Sequence, residues 1–299
     1  MDRFRSIQVF TKVAECGGFS AAARELAMSP PAVTRAVAAL EQRIGTRLFV
    51  RTTRLVRLTE SGERFLRDCR RILTDLEEAE DAAVGAHGTP RGELRVTAPA
   101  LFGRLYVAPI IAEFLDRYPL VSCRTVFVDR VVNLMDEGHD VAIRIGNLPD
   151  SSLVAVRIGS VRRVVCGAPE YLRAHGTPRH PRELADHRVI QALAVDGRAE
   201  WPFREDGSPF SVRVKPRLRM NTNDAVIGLA ARGWGLTRLM SYQVAPEVTA
   251  GRLQIVLSEF EMPPLSVHVI HQEGRMVSRK VRAFVDHIVD RLRSDPAIA

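Results

Sequence analysis

The chain has 299 residues, 46% hydrophobic and 26% charged, which excludes a disordered or fibrous polymer and leaves room for two or three domains with real cores. No apolar run reaches the roughly 18 residues that a membrane helix needs, and Met1-Asp2-Arg3-Phe4-Arg5 opens a helical pattern rather than a secretory leader, so a cytoplasmic protein is expected. The formal charge of +8 points to a polyanionic partner, and its placement sharpens this: residues 1–60 carry ten basic and five acidic residues, whereas 61–88 carry four basic and seven acidic.

Phe4, Ile7, Phe10 and Val13-Ala14 recur at helical spacing, and Gly17-Gly18 ends that helix. Ser20 is a candidate N-cap for a short alanine-rich helix reaching Ala27. After a tight break at Met28, Ser29 would cap a third helix with Pro30 at its first position, where the missing N–H costs little. Val33, Val37, Leu40 and Ile44 form its buried stripe, and Gly45 supplies the stop. Two short helices, a tight turn and a third helix make a helix-turn-helix pattern. Pro31, Thr34 and Arg35 lie near the N-terminal end of the third helix, off its core side, which is the end a recognition helix presents to base edges. Arg35 would pair with guanine or a phosphate, and Thr34 with a thymine methyl or a phosphate. The run Leu48 to Leu58 reads as a two-stranded wing whose Arg51, Thr52 and Arg54 suit phosphate or minor-groove contact.

The ordered run Phe19-Ser20-Ala21-Ala22-Ala23-Arg24-Glu25-Leu26-Ala27-Met28-Ser29-Pro30-Pro31-Ala32-Val33-Thr34-Arg35-Ala36-Val37-Ala38-Ala39-Leu40-Glu41 resembles the LysR-type transcriptional regulators. So do Ile44-Gly45-Thr46-Arg47-Leu48-Phe49-Val50-Arg51-Thr52 and Leu58-Thr59-Glu60-Ser61-Gly62. The resemblance implies a sequence-specific DNA-binding regulator controlled by a small-molecule effector. It places DNA contacts at Ser20, Pro31, Thr34, Arg35 and Arg54, to which the local reading adds Ser29, Pro30, Arg51 and Thr52. The family commonly has glutamine where this chain has Pro30 and serine where it has Thr34, so an operator sequence does not transfer from relatives.

From Thr59, an N-cap candidate, a charged helix runs to about Ala86. Phe65, Cys69, Ile72, Leu76, Ala79 and Ala83 alternate at spacings of four and three residues, the seam of a coiled coil, with Leu66 and Leu73 widening it. A dimer is expected, extended by the resemblance to a tetramer, since paired heads read pseudo-palindromic sites. The domain plan is a winged helix-turn-helix over 1–60, a dimerising helix over 61–87, a hinge over 88–91 and an effector domain over 92–299.

Strands and helices alternate after the hinge, which argues an α/β fold with mainly parallel sheets. Strands are expected at Leu94–Thr97, Val121–Val128, Asp140–Ile145, Val161–Cys166, Arg217–Met220, Gly235–Leu239 and Leu265–His271. Helices are expected at Leu105–Tyr118, around Tyr171, at Asp224–Ala231 and at Ser278–Leu292, the last with Val281, Phe284, Val285, Ile288 and Leu292 on its apolar face. The resemblance implies two lobes like those of periplasmic binding proteins, one over about 92–162 and 267–299 and the other over about 163–266. It places the effector cleft at Thr97, Ala98, Pro99, Leu101, Phe102, Val128, Asp129, Arg144, Asn221, Thr222 and Asn223, where strand ends meet helix N-termini. The segment Gly235 to Val244 departs from the common family pattern of small and proline residues, and its Arg238 would reach the cleft and favour an acidic effector.

No P-loop, H-E-x-x-H or G-x-S-x-G occurs, so no enzyme activity is expected. Cys16, Cys69, Cys123 and Cys166 lack C-x-x-C spacing and read as small hydrophobes rather than metal ligands or disulfides. His268 and His271, three apart on a predicted strand, point to opposite faces and make a poor metal pair. Neither a metal nor a cofactor beyond the effector is expected. RNA polymerase is a further candidate partner. A transport-class solute-binding protein is opposed by the first 90 residues, and an enzyme with a DNA-binding head by the missing catalytic constellation.

Overall fold

Helix α1 (Arg3–Cys16) buries Ile7, Val9, Phe10 and Val13 and stops at Gly17 with φ of 64°. Phe4, expected on that face, is 41% exposed. The structure is a computed structural model describing residues 2–51, 56–83, 89–130, 132–148, 153–193, 199–272 and 278–298. Helix α2 (Phe19–Glu25) begins one residue before the expected cap: Gly18 holds the cap position, and Ser20 lies inside the first turn. Phe19 is drawn into that turn by its edge-on contact with Phe49, ring centroids 5.7 Å apart. Ala27 takes the left-handed conformation at φ of 50°, and the Met28 N–H donates back to the Ala23 carbonyl at 2.9 Å.

Helix α3 (Pro30–Ile44) follows with Ser29 extended at the cap position, although its side chain makes no capping bond. Val33, Ala36, Val37 and Leu40 are buried, and Gly45 closes the helix at φ of 77°. Ile44 is 39% exposed rather than part of the stripe, because Leu48 and Phe49 fill the core below the last turn. Strands β1 (Phe49–Arg51) and β2 (Val56–Leu58) pair antiparallel, Phe49 opposite Leu58.

Helix α4 (Glu60–Ala83) starts where Thr59 predicts. The Thr59 Oγ1 accepts the Gly62 N–H at 2.9 Å and donates to the Arg47 carbonyl at 2.8 Å. Gly62 is required by contact rather than conformation: a Cβ there would lie 2.1 Å from the Leu48 carbonyl oxygen. The expected seam is divided. Leu66 and Cys69 are buried in the head's own core, with Phe65 and Leu73 packed against it, whereas Ile72 is 38% exposed. The helix is described only to Ala83, and the hinge residue Gly88 lies outside the described residues.

The chain divides into two units, Met1–Gly88 with Asn133–His139, and Thr89–Val132 with Asp140–Ala299. The second unit opens with β3 (Gly92–Ala98), α5 (Ala100–Phe102), a π-helical turn over Gly103–Val107, α6 (Ala108–Arg117) and β4 (Val121–Phe127). The helical stretch thus starts at Ala100, not at Leu105. Short α7 (Leu134–Glu137) groups with the first unit. Then come β5 (Val141–Ile145), β6 (Leu153–Val161), β7 (Arg163–Gly167), α8 (Pro169–His175), β8 (Val189–Ala192), β9 (Glu200–Glu205), β10 (Ser208–Arg213) and β11 (Leu218–Met220). Helix α9 (Asn223–Ala231), β12 (Leu236–Met240), α10 (Ser241–Thr249), β13 (Gln254–Val256), β14 (Leu265–Gln272) and α11 (Arg279–Arg293) complete it.

Two five-stranded sheets result, ordered β4-β3-β5-β14-β6 and β11-β8-β12-β7-β13. They are mixed rather than mainly parallel. In the first, β3 runs parallel to β4 and β5, but β14 runs antiparallel to β5 and β6. In the second, β8 runs parallel to β11 and β12, but β7 runs antiparallel to β12 and β13. The reversed strands flank the two passages between sheets, where a strand entering from the other sheet meets its neighbour head to tail. The expected strand Val161–Cys166 is two strands broken at Arg162. The apolar face read for the last helix is buried, including Phe284 and Ile288 at 0% exposure.

None of the four cysteines is in a disulfide; Cys69 and Cys166 are buried, and Cys16 and Cys123 half-buried. Burial pushes the thiols of Cys69, Cys123 and Cys166 up to about 12, so almost no thiolate exists at pH 8 and reactivity is suppressed. Iodoacetamide at pH 8 should therefore leave these three unmodified in the folded protein and label them in guanidinium. Rapid native labelling at Cys166, read by peptide mass mapping, would contradict this packing.

Candidate nucleic-acid interface and ligand cleft

Helix α3 turns its N-terminal end outwards. Ser29, Pro30, Pro31 and Arg35 are exposed, Thr34 is half-buried, and Ser20 on α2 is exposed. Their placement follows from the stripe: with Val33, Ala36 and Val37 held in the core, the alternate positions must face solvent. The Arg35 guanidinium has no hydrogen-bond or ion-pair partner among the described residues, so its donors are free for an external acceptor. The side chain of Arg51, and Thr52 and Arg54 entirely, lie outside the described residues.

The wing is held by a residue that the sequence reading did not single out. The Glu41 carboxylate, on the last turns of α3, accepts from the Leu48 N–H at 2.8 Å and the Phe49 N–H at 3.1 Å. Charge-assisted bonds of this kind fix where the chain leaves α3 and enters β1. The position of Glu41, just before Ile44-Gly45 and the wing, was the only signal for it.

In the second unit, several cleft candidates gather near the end of β3. Thr97 is 0% exposed, and its Oγ1 has no partner among the described residues. It does not cap the following helix; the Asp129 carboxylate does so, accepting from the Ala100 N–H at 3.0 Å. The Val128 N–H donates to the Ala98 carbonyl at 2.9 Å, which seats Asp129 for that role. Pro99 is half-buried, while Leu101 and Phe102 turn into the core. The Phe102 ring lies 5.1 Å from Tyr242 and 5.0 Å from Tyr106, and Tyr106 and Tyr242 are 6.0 Å apart. This aromatic trio ties α5 to α10, and burial raises the Tyr242 phenol well above its ordinary range.

Arg104, in the π-helical turn, reaches Asp224 on α9 at 2.7 Å. That contact brings the start of α9 to the same region. Gly103 lets the turn approach β4, since a Cβ there would lie 2.4 Å from the Phe127 ring. Asn221 and Thr222 are exposed, and Asn223 is buried with its Oδ1 unpartnered among the described residues. Arg144, on β5, donates to the Ile143 carbonyl at 3.1 Å. Arg238 lies elsewhere: its guanidinium sits over Trp201 at 6.0 Å and Phe203 at 5.8 Å, rings of a separate hydrophobic cluster. Among the described residues no helix is long and apolar enough to cross a membrane, and no cluster of His, Cys, Asp and Glu could hold a metal.

Residues 4–63 match the bacterial regulatory helix-turn-helix protein, lysR family, and residues 87–293 match the LysR substrate binding domain. The chain is 37% identical over 291 residues to an HTH-type transcriptional regulator of Xanthomonas campestris, covering 96% of this chain and 85% of that one. Among solved structures it is similar to CrgA, a LysR-type transcriptional regulator from Neisseria meningitidis, with a TM-score of 0.62 and 31% identity over 98% of this chain and 99% of that one. It is also similar to the Vibrio cholerae virulence activator AphB, with a TM-score of 0.64 and 25% identity over 97% and 99% of the two chains.

Proposed function

The chain belongs to the LysR family of bacterial transcriptional regulators, a DNA-binding helix-turn-helix joined to an effector-binding domain, and from that premise we propose how this member divides the work. Ser29, Pro30, Pro31, Thr34 and Arg35 meet the bases and phosphates of a promoter site, Ser20 meets the backbone, and Arg51, Thr52 and Arg54 follow the neighbouring groove from the wing. The observation that carries this is the Arg35 guanidinium, exposed and unpartnered among the described residues on the outward end of α3. The family acts as an oligomer; here the α4 stripe beyond the head's own core, beginning with the exposed Ile72, pairs two chains, and two such dimers form a tetramer.

The effector enters the cleft around Thr97, Ala98, Pro99, Val128, Asp129, Arg144, Asn221, Thr222 and Asn223. Leu101 and Phe102 support its walls rather than its polar contacts. Effector binding shifts the relative placement of the paired heads. By linkage, an effector that changes DNA affinity has its own affinity changed by DNA to the same degree. The protein works in the cytoplasm, where RNA polymerase is a further partner, and it performs no catalysis and needs no metal or other cofactor.

The test is Arg35→Ala in the full-length protein, with promoter fragments first selected by pull-down at several salt concentrations. Specific binding should weaken by about 1–3 kcal/mol while non-specific binding changes less, as for loss of a base contact. Unchanged specific affinity in a folded variant would remove Arg35 from the interface.

A further inference from the structure

The second unit passes from one sheet to the other at Arg162, between β6 and β7, and over residues 257–264, between β13 and β14. An ion pair joins the two passages: the Arg162 Nη1 donates to both carboxylate oxygens of Glu261, at 3.0 and 2.8 Å. The start of α10 is tied to the same point. The Ser241 N–H donates to the Arg162 carbonyl at 2.8 Å, and the Arg162 N–H donates to the Ser241 Oγ at 3.1 Å.

Beside these ties lies a cavity of about 340 Å³, at the low end of the range that small-molecule sites occupy, about 300–1,000 Å³. Its lining residues are half-buried or exposed, so solvent reaches it. Ala245 and Val248 of α10, Ile255 of β13 and Pro264 of the second passage supply an apolar wall. The segment after α11 closes another side with Pro296 and Ala297. That segment is pinned in place. Ile298 is 0% exposed, its carbonyl accepts the Ser160 N–H at 2.6 Å, and the Ala297 N–H donates to the Asp295 carboxylate at 2.9 Å. A Cβ at Gly159 would run into the Ile298 carbonyl oxygen, so the glycine lets this wall lie against β6. The cavity is therefore formed before any ligand arrives, which lowers the entropy cost of filling it.

The polar side of the lining is Arg162 with Ser160 and Ser241. A guanidinium has five donors. Glu261 engages Nη1 alone, and the Nε and Nη2 donors of Arg162 have no partner among the described residues. The cavity thus offers donors to an acceptor, but it does not call for a charge. Glu261, its side chain only 10% exposed, already balances Arg162, which is 46% exposed. A carboxylate here would meet Glu261 as a like charge, and an ammonium would meet Arg162 as one. A neutral acceptor avoids both.

We propose that this cavity is a binding site for a small uncharged molecule with a carbonyl-type acceptor on a compact apolar body. Arg162 and the Ser160 hydroxyl hold the acceptor, and Ala245, Val248 and Ile255 take the body. The site shares no lining residue with the β3 cleft, and it stands whether or not that cleft takes an effector.

The experiment follows the methyl NMR signals of Ala245, Val248 and Ile255 in the full-length protein during titration with three probes of one shape. These are cyclohexanecarboxamide, cyclohexanecarboxylate and cyclohexylmethylammonium. The amide should shift all three residues saturably in the millimolar range and bind several-fold more tightly than either ion. Ala245→Leu, which fills the cavity from the exposed side of α10, should abolish the shifts at Val248 and Ile255. Arg162→Lys keeps the charge opposite Glu261 but loses the planar fork, and it should weaken the amide several-fold. Thermal unfolding checks that each variant is folded. No saturable shift at these methyls, a carboxylate or ammonium that binds as tightly as the amide, or either variant folded and binding as the wild type does would overturn the site.

Discussion

Phe10→Ala should destabilise the DNA-binding unit by about 3–5 kcal/mol, the range for removing a buried aromatic ring. Phe10 is 0% exposed and meets both Phe49 and Phe65 with ring centroids 5.3 Å apart. One side chain on α1 therefore joins the start of the wing to the start of α4. The hole left by alanine would be bounded by three different elements that cannot all collapse inwards together. Small domains are stable by only about 5–15 kcal/mol, so much of that margin would be lost. Urea unfolding followed by far-ultraviolet circular dichroism, with DNA retention in parallel, measures it. A midpoint within error of the wild type would mean that the aromatic contacts do not organise the head.

Gly62→Ala comes second in size, at about 3 kcal/mol, the upper end of what overpacking costs. The atom in the way is the Leu48 carbonyl oxygen, 2.1 Å from the new Cβ, and it cannot rotate aside as a side chain would. That carbonyl also accepts the Thr59 N–H at 2.9 Å, and the Gly62 N–H is the donor in the Thr59 cap. A methyl group at this position would push the first turn of α4 off the wing and loosen the cap with it. The loss should appear in stability and equally in DNA binding, because the wing is set by the same contact. A variant that keeps wild-type stability would show that the helix can shift freely here.

The Leu58-Thr59-Glu60-Ser61-Gly62 run shows how a motif and its cause can be read at different stages. As sequence it carried a resemblance and a helix start. Only the packed structure supplied the reason for the glycine, since Leu48 is fourteen positions away in the chain and no local pattern announces its carbonyl. Glu41 is a similar case: a polar residue near a helix end reads as a solvated charge until the Leu48 and Phe49 amides are seen to point at it. Ser20 and Ile44 went the other way. Local preference put a cap at one and a core residue at the other, and the aromatic contact of Phe19 with Phe49 and the filling of the core by Leu48 decided against both.

In the second unit the isolated elements were mostly legible, because apolar runs and helical spacing are local signals. Strand direction was not. Val161–Cys166 looks like one strand in sequence but is broken at Arg162, and the short or irregular elements β8, β9, β10, α10 and β13 carry too little periodicity to be found. The mixed sheets depend on where the chain crosses between them, which is a matter of long-range pairing.

The sequence by itself determined the helix-turn-helix, its outward-facing Arg35, the capped linker helix and the alternation of strands and helices, because each rests on spacing and on conformational preference within a few residues. Tertiary structure alone decided which half of the α4 stripe the head consumes, which residue holds the wing, and that Arg144, His268 and Arg157 stand in one row. The first two depend on how segments of the head pack on one another, and the last on pairing between strands more than a hundred positions apart, as in Arg144 and His268, since a side chain's neighbours across a sheet are fixed by register rather than by anything adjacent in the chain.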